Sequence, residues 1–196
     1  VATVTVTIQN VNEVPTISPQ SFNVNENSLS GVPVGTVLAS DPETPSSLTF
    51  AIRGGDPTGF FTINTSTGAL SVVKGGLDHE ASDSFDLTIQ VTDPGSLNAS
   101  ATITVNVNDL NELPVLEPIG NRSATVGNQL TFTATASDPD VPSSSLAFSL
   151  SAGAPVGASI TSVGVFTFTP TSAQNGMSFS VTVIVTEGNV DALTAS

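Results

Sequence analysis

A strand followed by a short tether occurs twice in this sequence, and the repeat constrains the fold more than any other feature. Residues 1–15 (VATVTVTIQNVNEVP) match residues 100–114 (SATITVNVNDLNELP) without a gap, at an offset of 114 − 15 = 99 residues. Both copies alternate apolar and polar residues, as a half-buried β-strand does, and both end in Asn-Glu followed by a proline two positions later. A repeat at this distance predicts a linear array of β modules of about 100 residues each.

The repeat divides the chain into three parts. Residues 1–12 correspond to the last strand and tether of a preceding module, residues 13–110 to one complete module, and residues 111–196 to a second module. The segment around Phe179 aligns with the segment around Phe85 at an offset of 179 − 85 = 94 residues. In that register the sequence ends where the last strand of the second module would begin, so we expect the second sandwich to be one strand short.

Short alternating segments separated by turn residues fill both modules, and no window has sustained helical periodicity. Gly54-Gly55, Thr67-Gly68 and Pro94-Gly95 supply turns between the segments. We therefore predict an all-β fold of tandem Greek-key, immunoglobulin-like β-sandwiches. The predicted strands are residues 21–25, 34–39, 47–53, 60–64, 69–74, 84–92 and 99–108 in the first module and 123–126, 130–137, 146–150, 159–162, 165–169 and 178–186 in the second.

The charge balance limits the classes of partner. Seventeen Asp and Glu residues face only Arg53, Lys74 and Arg122, which gives a formal net charge of −14. Nucleic acids and anionic membranes need basic patches, so we expect no nucleic-acid partner and no direct membrane insertion. Clustered carboxylates repel one another until a cation neutralises them, which favours bound cations, although acidity can also simply keep an extracellular protein soluble. There are no cysteines, so disulfides cannot hold the modules together.

The first module resembles a cadherin repeat over its whole length. Five segments match family motifs in the family's order: Asn25-Glu26-Asn27 is similar to Pro-Glu-Asn, Asp41-Pro42-Glu43 to Asp-x-Asp, Leu77-Asp78-His79-Glu80 to Leu-Asp-Arg-Glu, Asp93-Pro94-Gly95 to Asp-x-Gly, and Asp109-Leu110-Asn111-Glu112-Leu113-Pro114 to the closing Asp-x-Asn-Asp-Asn-x-Pro. Each segment alone is weak, but their order makes the resemblance specific.

The second module resembles a different family. It keeps Asp138-Pro139-Asp140, but no Glu stands near Val126 and no Asp-x-Glu follows its middle strands. Residues 165–171 (VFTFTPT), followed by Gln174 and Gly176, are similar to the dystroglycan-type cadherin-like domain. The short Asn-(Asp/Glu)-x-Pro tethers are similar to those of long bacterial surface and secreted proteins.

The cadherin resemblance implies Ca²⁺ at the joint between the modules. Calcium takes six to eight oxygen ligands, which several strand ends and a tether together can provide. We expect about two or three ions at the 110–114 junction. The implied ligands are Glu26, Asp78 and Glu80 from the first module, Asp109, Asn111 and Glu112 from the tether, and Asp138, Asp140 and Glu187 from the second module.

The tether departs from the family pattern in two ways. It is one residue shorter, so a carbonyl such as that of Leu113 would have to replace the missing amide. Glu112 and Glu187 also stand where the family has Asp, and their longer side chains loosen the expected geometry.

A second, weaker site is expected at the amino-terminal end of the first module. Asn12, Asp41, Glu43 and Asp93 correspond to Asn111, Asp138, Asp140 and Glu187, and we expect them to bind a single further ion. Asp-Pro-(Asp/Glu) segments also occur as plain turn residues, and only their order with the other motifs favours calcium. His79 stands at the position of the family's Arg and is interpreted as a solvated or packing residue rather than a ligand.

Two functions are compatible with the sequence. The first is a calcium-rigidified segment of an extracellular or cell-surface adhesin or stalk, with other cadherin-like repeats of the same chain as partners. The alternative is a carbohydrate-binding module of a secreted multidomain protein, which is disfavoured because such sites stack sugars on Trp or Tyr and the chain has neither. A single His and the lack of a nucleophile constellation argue against an enzyme.

The repeat also predicts pairing between copies. Residues 1–8 are a last strand without its module, and the second module lacks its last strand. Since an open sheet edge accepts a matching strand, we expect head-to-tail strand pairing of this chain with itself.

Overall fold

The computed structural model describes residues 1–44, 47–140, 145–188 and 194–195. The chain divides into two units, residues 1–110 and residues 111–196. Strands and one short 3₁₀ turn (Ser172–Gln174) make up the regular structure of the described residues, so the predicted all-β class is confirmed. Among these residues, no helix has the length and hydropathy that a membrane span requires.

The first unit is a sandwich of two sheets with a small additional ribbon. Its strands are β1 (Thr16–Ile17), β2 (Gln20–Asn25), β3 (Pro33–Thr36), β4 (Ala39–Ser40), β5 (Thr49–Gly54), β6 (Phe61–Ile63), β7 (Ala69–Val72), β8 (Ser84–Thr92) and β9 (Asn98–Asn108). One sheet has the order β2-β9-β8-β5, the other β3-β7-β6, and β1 pairs with β4. All pairs are antiparallel except β2 with β9, which run parallel.

Alternation in β8 and β9 builds the core of the first unit. Every second residue of β8 from Leu87 onward is buried, and the same is true of β9 from Ile103 onward. These side chains pack with residues of the opposite sheet such as Leu70 and Val72 into one buried cluster. Both sheets thus place one apolar face inward, as the period of two in the sequence requires.

The turn after β5 depends on a glycine. Gly55 has a φ of +87°, a region that L side chains rarely adopt. A Cβ at this position would also overlap the backbone carbonyl of Asp86 on β8. The Gly54-Gly55 turn predicted from the sequence is therefore required for close approach of backbone as well as for the turn itself.

The second unit has the same kind of architecture with fewer paired strands. Its strands are β10 (Val115–Leu116), β11 (Leu130–Thr133), β12 (Ala136–Ser137), β13 (Leu146–Leu150), β14 (Ala158–Ile160), β15 (Val165–Phe168), β16 (Val183–Glu187) and β17 (Thr194–Ala195). The sheets are β11-β15-β14 and β13-β16-β17, and β10 pairs with β12. The buried residues include Phe166, Phe168 and Val185, and Phe166 stacks on Phe132 with ring centroids 4.7 Å apart.

Three predicted strands of the second unit differ from the structure. The segment predicted as one strand over residues 130–137 is divided into β11, which pairs with β15, and β12, which pairs with β10. Residues 123–126 are not a strand, and the strand predicted over residues 178–186 begins only at Val183. Their counterparts in the first unit, β2 and the first half of β8, are both hydrogen-bonded to β9. In the second unit only β17 represents that last strand among the described residues, and it pairs only with Val185 and Thr186.

The segment predicted as one strand over residues 34–39 is divided in the structure. β3 ends at Thr36 and pairs with β7, whereas β4 begins at Ala39 and pairs with β1. Between them the buried Val37 donates its N–H to the carbonyl of Gly68. The chain therefore passes from one layer to another at this point, which a continuous apolar pattern does not indicate.

Candidate metal sites

Glu26 is the most buried of the residues that the sequence predicts as metal ligands at the carboxyl-terminal end of the first unit. It follows β2, is only 2% exposed, and accepts hydrogen bonds from the backbone N–H groups of His79 (2.8 Å) and Leu110 (2.6 Å). Its own N–H donates to the carbonyl of Asn108 (3.1 Å) at the end of β9. One buried carboxylate thus joins the end of β2, the end of β9 and the loop that begins at Leu77.

The exposed members of this set lie on that loop and on the tether. Ligand atoms of His79, Glu80 and Asp109 all lie within 4.8 Å of one another. Asp78 is not in this group, and its carboxylate accepts the N–H of Ala81 (2.9 Å) within the turn. The structure thus places Glu80 and Asp109 together, as the sequence predicts, and adds His79.

His79 is the residue that sequence reasoning set aside. Its Nδ1 lies 2.7 Å from the carbonyl oxygen of Val107. This hydrogen bond, reinforced by the charges of Asp109 and Glu80, raises the pKa of His79 above its ordinary value, with partial opposition from burial. The contact with Val107 fixes the ring beside the carboxylates, and no signal in the sequence motif indicates it.

The amino-terminal set of the second unit is held by three hydrogen bonds. Asn111 Nδ2 donates to Glu187 Oε2 (2.9 Å), the N–H of Glu112 donates to Asp140 Oδ2 (2.6 Å), and the N–H of Asp140 donates to Asp138 Oδ1 (3.0 Å). Glu187, at the end of β16, is 3% exposed. These bonds connect two of the predicted tether residues with the three residues predicted from the second module, in two separate groups.

The same three hydrogen bonds occur at the amino-terminal end of the first unit. Asn12 Nδ2 donates to Asp93 Oδ2 (2.6 Å), the N–H of Glu13 donates to Glu43 Oε2 (3.3 Å), and the N–H of Glu43 donates to Asp41 Oδ1 (3.0 Å). The four residues predicted for the weaker site are therefore brought together, and Glu13 joins them. The repeat of the tether in sequence is matched by a repeat of its contacts.

Gly95 leaves room for the contact between Asn12 and Asp93. A Cβ at this position would lie 2.6 Å from Nδ2 of Asn12, closer than such atoms approach in practice. The glycine of the Asp-Pro-Gly segment therefore has a steric role beside the carboxylate set, in addition to its place in the turn.

Glu13 and Glu43 show how crowded these carboxyl groups are. The interaction between the side chains of Glu13 and Glu43 raises the pKa of Glu13 and lowers the pKa of Glu43. Like charges this close disfavour the ionisation of both carboxyl groups, and a bound cation would relieve that repulsion.

The buried charges have one sign. The buried charged residues of the described chain are Glu26, Asp41, Asp93 and Glu187, all of them acids and none more than 4% exposed. Asp41 Oδ2, Asp140 Oδ1 and Glu187 Oε1 are buried and have no hydrogen-bond partner among the described residues. Oxygen atoms of this kind, aided by an Asn amide at each tether, are the donors that Ca²⁺ prefers. The residues present therefore fit calcium.

Comparisons with known proteins agree with the fold. Residues 20–108 match the family model of the cadherin domain, and residues 113–196 match the model of a putative Ig domain. The chain is 35% identical over 121 residues to the Protocadherin-like wing polarity protein stan of Drosophila melanogaster, which is 59% of this chain and 3% of that protein. It is 35% identical over 117 residues to Protocadherin Fat 1 of Homo sapiens, which is 56% of this chain and 2% of that protein.

Solved cadherin structures have the same fold. Drosophila N-cadherin EC1-4 matches with a TM-score of 0.71 and 18% identity, covering 94% of this chain and 48% of that one. Human Protocadherin-24 EC1-2 matches with a TM-score of 0.65 and 20% identity, covering 95% of this chain and 94% of that one. The predicted bacterial origin is not tested by these similarities and stays a prediction. Residues 20–108 are thus a cadherin domain, and residues 113–196 form an immunoglobulin-like domain that follows it.

Proposed function

We propose that this chain is a calcium-binding segment of an extracellular adhesin or surface stalk and that calcium stiffens it. The similarity to cadherins supports an adhesion-type, non-enzymatic, extracellular domain. The chain spans about 3% or less of the length of the two relatives named above, so the function of the whole protein is part of the proposal. One observation carries the calcium assignment, namely the buried carboxylates with oxygens that have no hydrogen-bond partner among the described residues.

The free-energy cost of buried carboxylates supports a bound cation. Taking one ion out of water costs several kcal/mol unless an opposite charge lies close by. The chain has only three Lys and Arg. Arg53 donates to Gln90, Lys74 donates to the carbonyl of Thr58, and Arg122 lies over the ring of Phe132. Because the three basic side chains make these other contacts, a divalent cation would supply the countercharge that the carboxylates need.

Two sets of ligands are proposed to share the ions at the tether. The set of the first unit is Glu26, Asp78, Glu80 and Asp109, and that of the second unit is Asn111, Glu112, Asp138, Asp140 and Glu187. The peptide bond from Leu110 to Asn111 joins the two sets in the chain. Calcium takes six to eight oxygen ligands, and the two sets together supply them from several strand ends and the tether, so we propose about two or three shared ions.

The amino-terminal set is proposed to bind more weakly. Asn12, Glu13, Asp41, Glu43 and Asp93 come from one unit only, so they provide half of a shared site. We propose a single ion there.

Calcium supplies positive charge and multiple coordination positions, and the residues supply the stiffness. Glu26 accepts the N–H of Leu110, and Glu187 accepts the side-chain N–H of Asn111, so two adjacent tether residues are each held by a buried carboxylate. Without a countercharge the acidic groups repel one another and the tether becomes less ordered. The free energy of ion binding opposes this repulsion and keeps the tether ordered.

Calorimetric titration of Ca²⁺ into chelated protein tests this function directly. We expect saturable binding at two or more sites, and we expect X-ray scattering to show a larger maximum dimension with calcium than with chelator. The variant with Asp138→Asn and Asp140→Asn removes two ligand charges and keeps the side-chain size. It should lose most of the calcium binding at the tether while keeping its fold. Equal maximum dimensions in both states, or no saturable heat, would contradict the proposal.

A further inference from the structure

The loop that begins at Leu77 carries the single histidine of this sequence. A ring nitrogen of His79 and carboxylate oxygens of Glu80 and Asp109 lie within 4.8 Å of one another. The ring is half-buried and both carboxylate side chains are exposed. All three residues belong to the first unit, and together they offer a nitrogen donor that the Asn, Asp and Glu residues of the amino-terminal sets do not.

Hydrogen bonds from outside this trio hold the backbone of the loop in place. The N–H of His79 donates to the buried carboxylate of Glu26 (2.8 Å). Two residues earlier, the carbonyl of Leu77 accepts the N–H of Asn27 (2.9 Å). The position of His79 is therefore set by the end of β2, and an ion that binds the trio does not have to order the loop first.

The ring of His79 is oriented by a further contact outside the trio. Its Nδ1 lies 2.7 Å from the carbonyl oxygen of Val107 on β9. A carbonyl oxygen can only accept a hydrogen bond, so Nδ1 carries the proton, and the lone pair of the neutral ring is on Nε2. Histidines that bind metal ions usually donate their other ring N–H to a backbone carbonyl or a carboxylate, which fixes the tautomer and the ring. His79 already has this arrangement.

The types of donor atom favour a particular class of ion. Calcium takes oxygen ligands, whereas imidazole nitrogen suits Zn²⁺ and related transition-metal ions. Zinc binds His nitrogen and carboxylate oxygen at about 2.0–2.2 Å, so the ligand atoms of a tetrahedral site are about 3.4 Å apart. Atoms that lie within 4.8 Å of one another reach this spacing by shifts of about 1.4 Å or less, which exposed carboxylate side chains can make by rotation.

We propose that Nε2 of His79 and the carboxylates of Glu80 and Asp109 bind a zinc ion, with water as the fourth ligand. Three protein ligands and one water complete the tetrahedral shell that Zn²⁺ prefers. The two carboxylates also balance the charge of the divalent ion. Since the sequence has no other histidine and no cysteine, zinc binding that involves a nitrogen or sulfur side chain is confined to this trio.

Zinc and calcium compete at this position, a consequence that rests on the proposed function. Glu80 and Asp109 belong to the calcium ligands proposed for the first unit, and the same two carboxylates cannot complete the shells of both ions. Zinc bound by the trio therefore weakens calcium binding at the tether and reduces the stiffness that calcium provides. A set made of oxygen donors alone would respond less to zinc.

Calorimetric titration of Zn²⁺ into the metal-free chain near neutral pH, without calcium, tests the zinc site. His79→Gln removes the nitrogen ligand and should weaken zinc binding at least tenfold. Asp83→Asn is the matched control because it removes an exposed charge from the same loop and leaves the trio intact, so it should bind zinc like the parent chain. Circular dichroism of both variants should show the all-β spectrum of the parent.

The single imidazole provides a second readout by NMR. Zinc should shift the ¹⁵N signal of Nε2 much more than that of Nδ1, because Nδ1 stays bonded to the carbonyl of Val107. Equal zinc affinities of the parent chain and His79→Gln, or a ring whose nitrogen signals do not change with zinc, would overturn the proposal.

A titration of zinc into the calcium-saturated chain tests the competition. We expect the apparent zinc affinity to fall at least tenfold relative to the calcium-free chain, and an unchanged affinity would overturn the sharing of Glu80 and Asp109. Titration of calcium alone reports the proposed function. A chain that does not bind calcium is thereby distinguished from a chain that has no zinc site.

Discussion

Glu26→Ala is expected to lower the free energy of unfolding of the first unit by about 3 kcal/mol and to remove most of its stabilisation by calcium. The substitution leaves the backbone N–H groups of His79 and Leu110 without their carboxylate acceptor. Hydrogen bonds to a charged group each contribute about 1.5–3 kcal/mol, and part of that is recovered where water reaches the exposed Leu110. Calcium binding falls as well, because Glu26 is the buried member of the proposed ligand set.

Circular dichroism in urea, with NMR signals of β8 residues to isolate the first unit, measures this effect, since the chain has no Trp or Tyr for fluorescence. Glu26→Gln is the diagnostic comparison because it keeps an oxygen acceptor and removes the charge. It should change stability little in chelator and weaken calcium binding tenfold or more. Asp83→Asn, an exposed carboxylate outside the predicted ligand set, should do neither. Unchanged calcium affinity in Glu26→Gln would exclude Glu26 from the site.

Leu87→Ala is expected to destabilise the first unit by about 3 kcal/mol. Leu87 is fully buried in β8 opposite Ile103, so the substitution leaves a cavity where two sheets meet. Thr88→Ala, the adjacent and exposed position on the same strand, is the matched control and should change stability by less than about 0.5 kcal/mol. Urea unfolding followed by circular dichroism checks both, and similar losses in the two variants would show that the sandwich core is not where the structure places it.

The sequence predicts some strands to the residue and others poorly. The predicted strand 84–92 has the observed bounds of β8, because every second residue from Phe85 to Val91 is partly or fully buried and the period of two is unbroken. The predicted strands at residues 123–126 and 178–182 are absent from the structure. A segment becomes a strand only when it pairs with an adjacent strand, and the alternation of apolar and polar residues within the segment does not show whether such a partner is present. The division of residues 34–39 into β3 and β4 likewise depends on Gly68, which is distant in sequence.

The candidate sites follow the same distinction. Motif order predicts which carboxylates lie together at the amino-terminal ends, and the paired contacts of Asn12 with Asp93 and of Asn111 with Glu187 agree with the alignment that the sequence gives. The two N–H groups held by Glu26 and the position of His79 beside Asp109 depend on where strand ends meet in space. No spacing in the sequence reports such a meeting.

The repeated trio of hydrogen bonds at the start of each unit bears on how these modules can be transplanted. In the first unit, hydrogen bonds join Asn12 to Asp93 and Glu13 to Glu43. In the second unit, they join Asn111 to Glu187 and Glu112 to Asp140. Each tether is therefore bonded to the module that follows it in the sequence. A module grafted into another protein therefore keeps the hydrogen bonds between its tether and its acidic residues when the splice is made before Asn12 or Asn111. A splice after Pro15 or Pro114 would leave the acidic residues of the module without the two tether residues that are hydrogen-bonded to them.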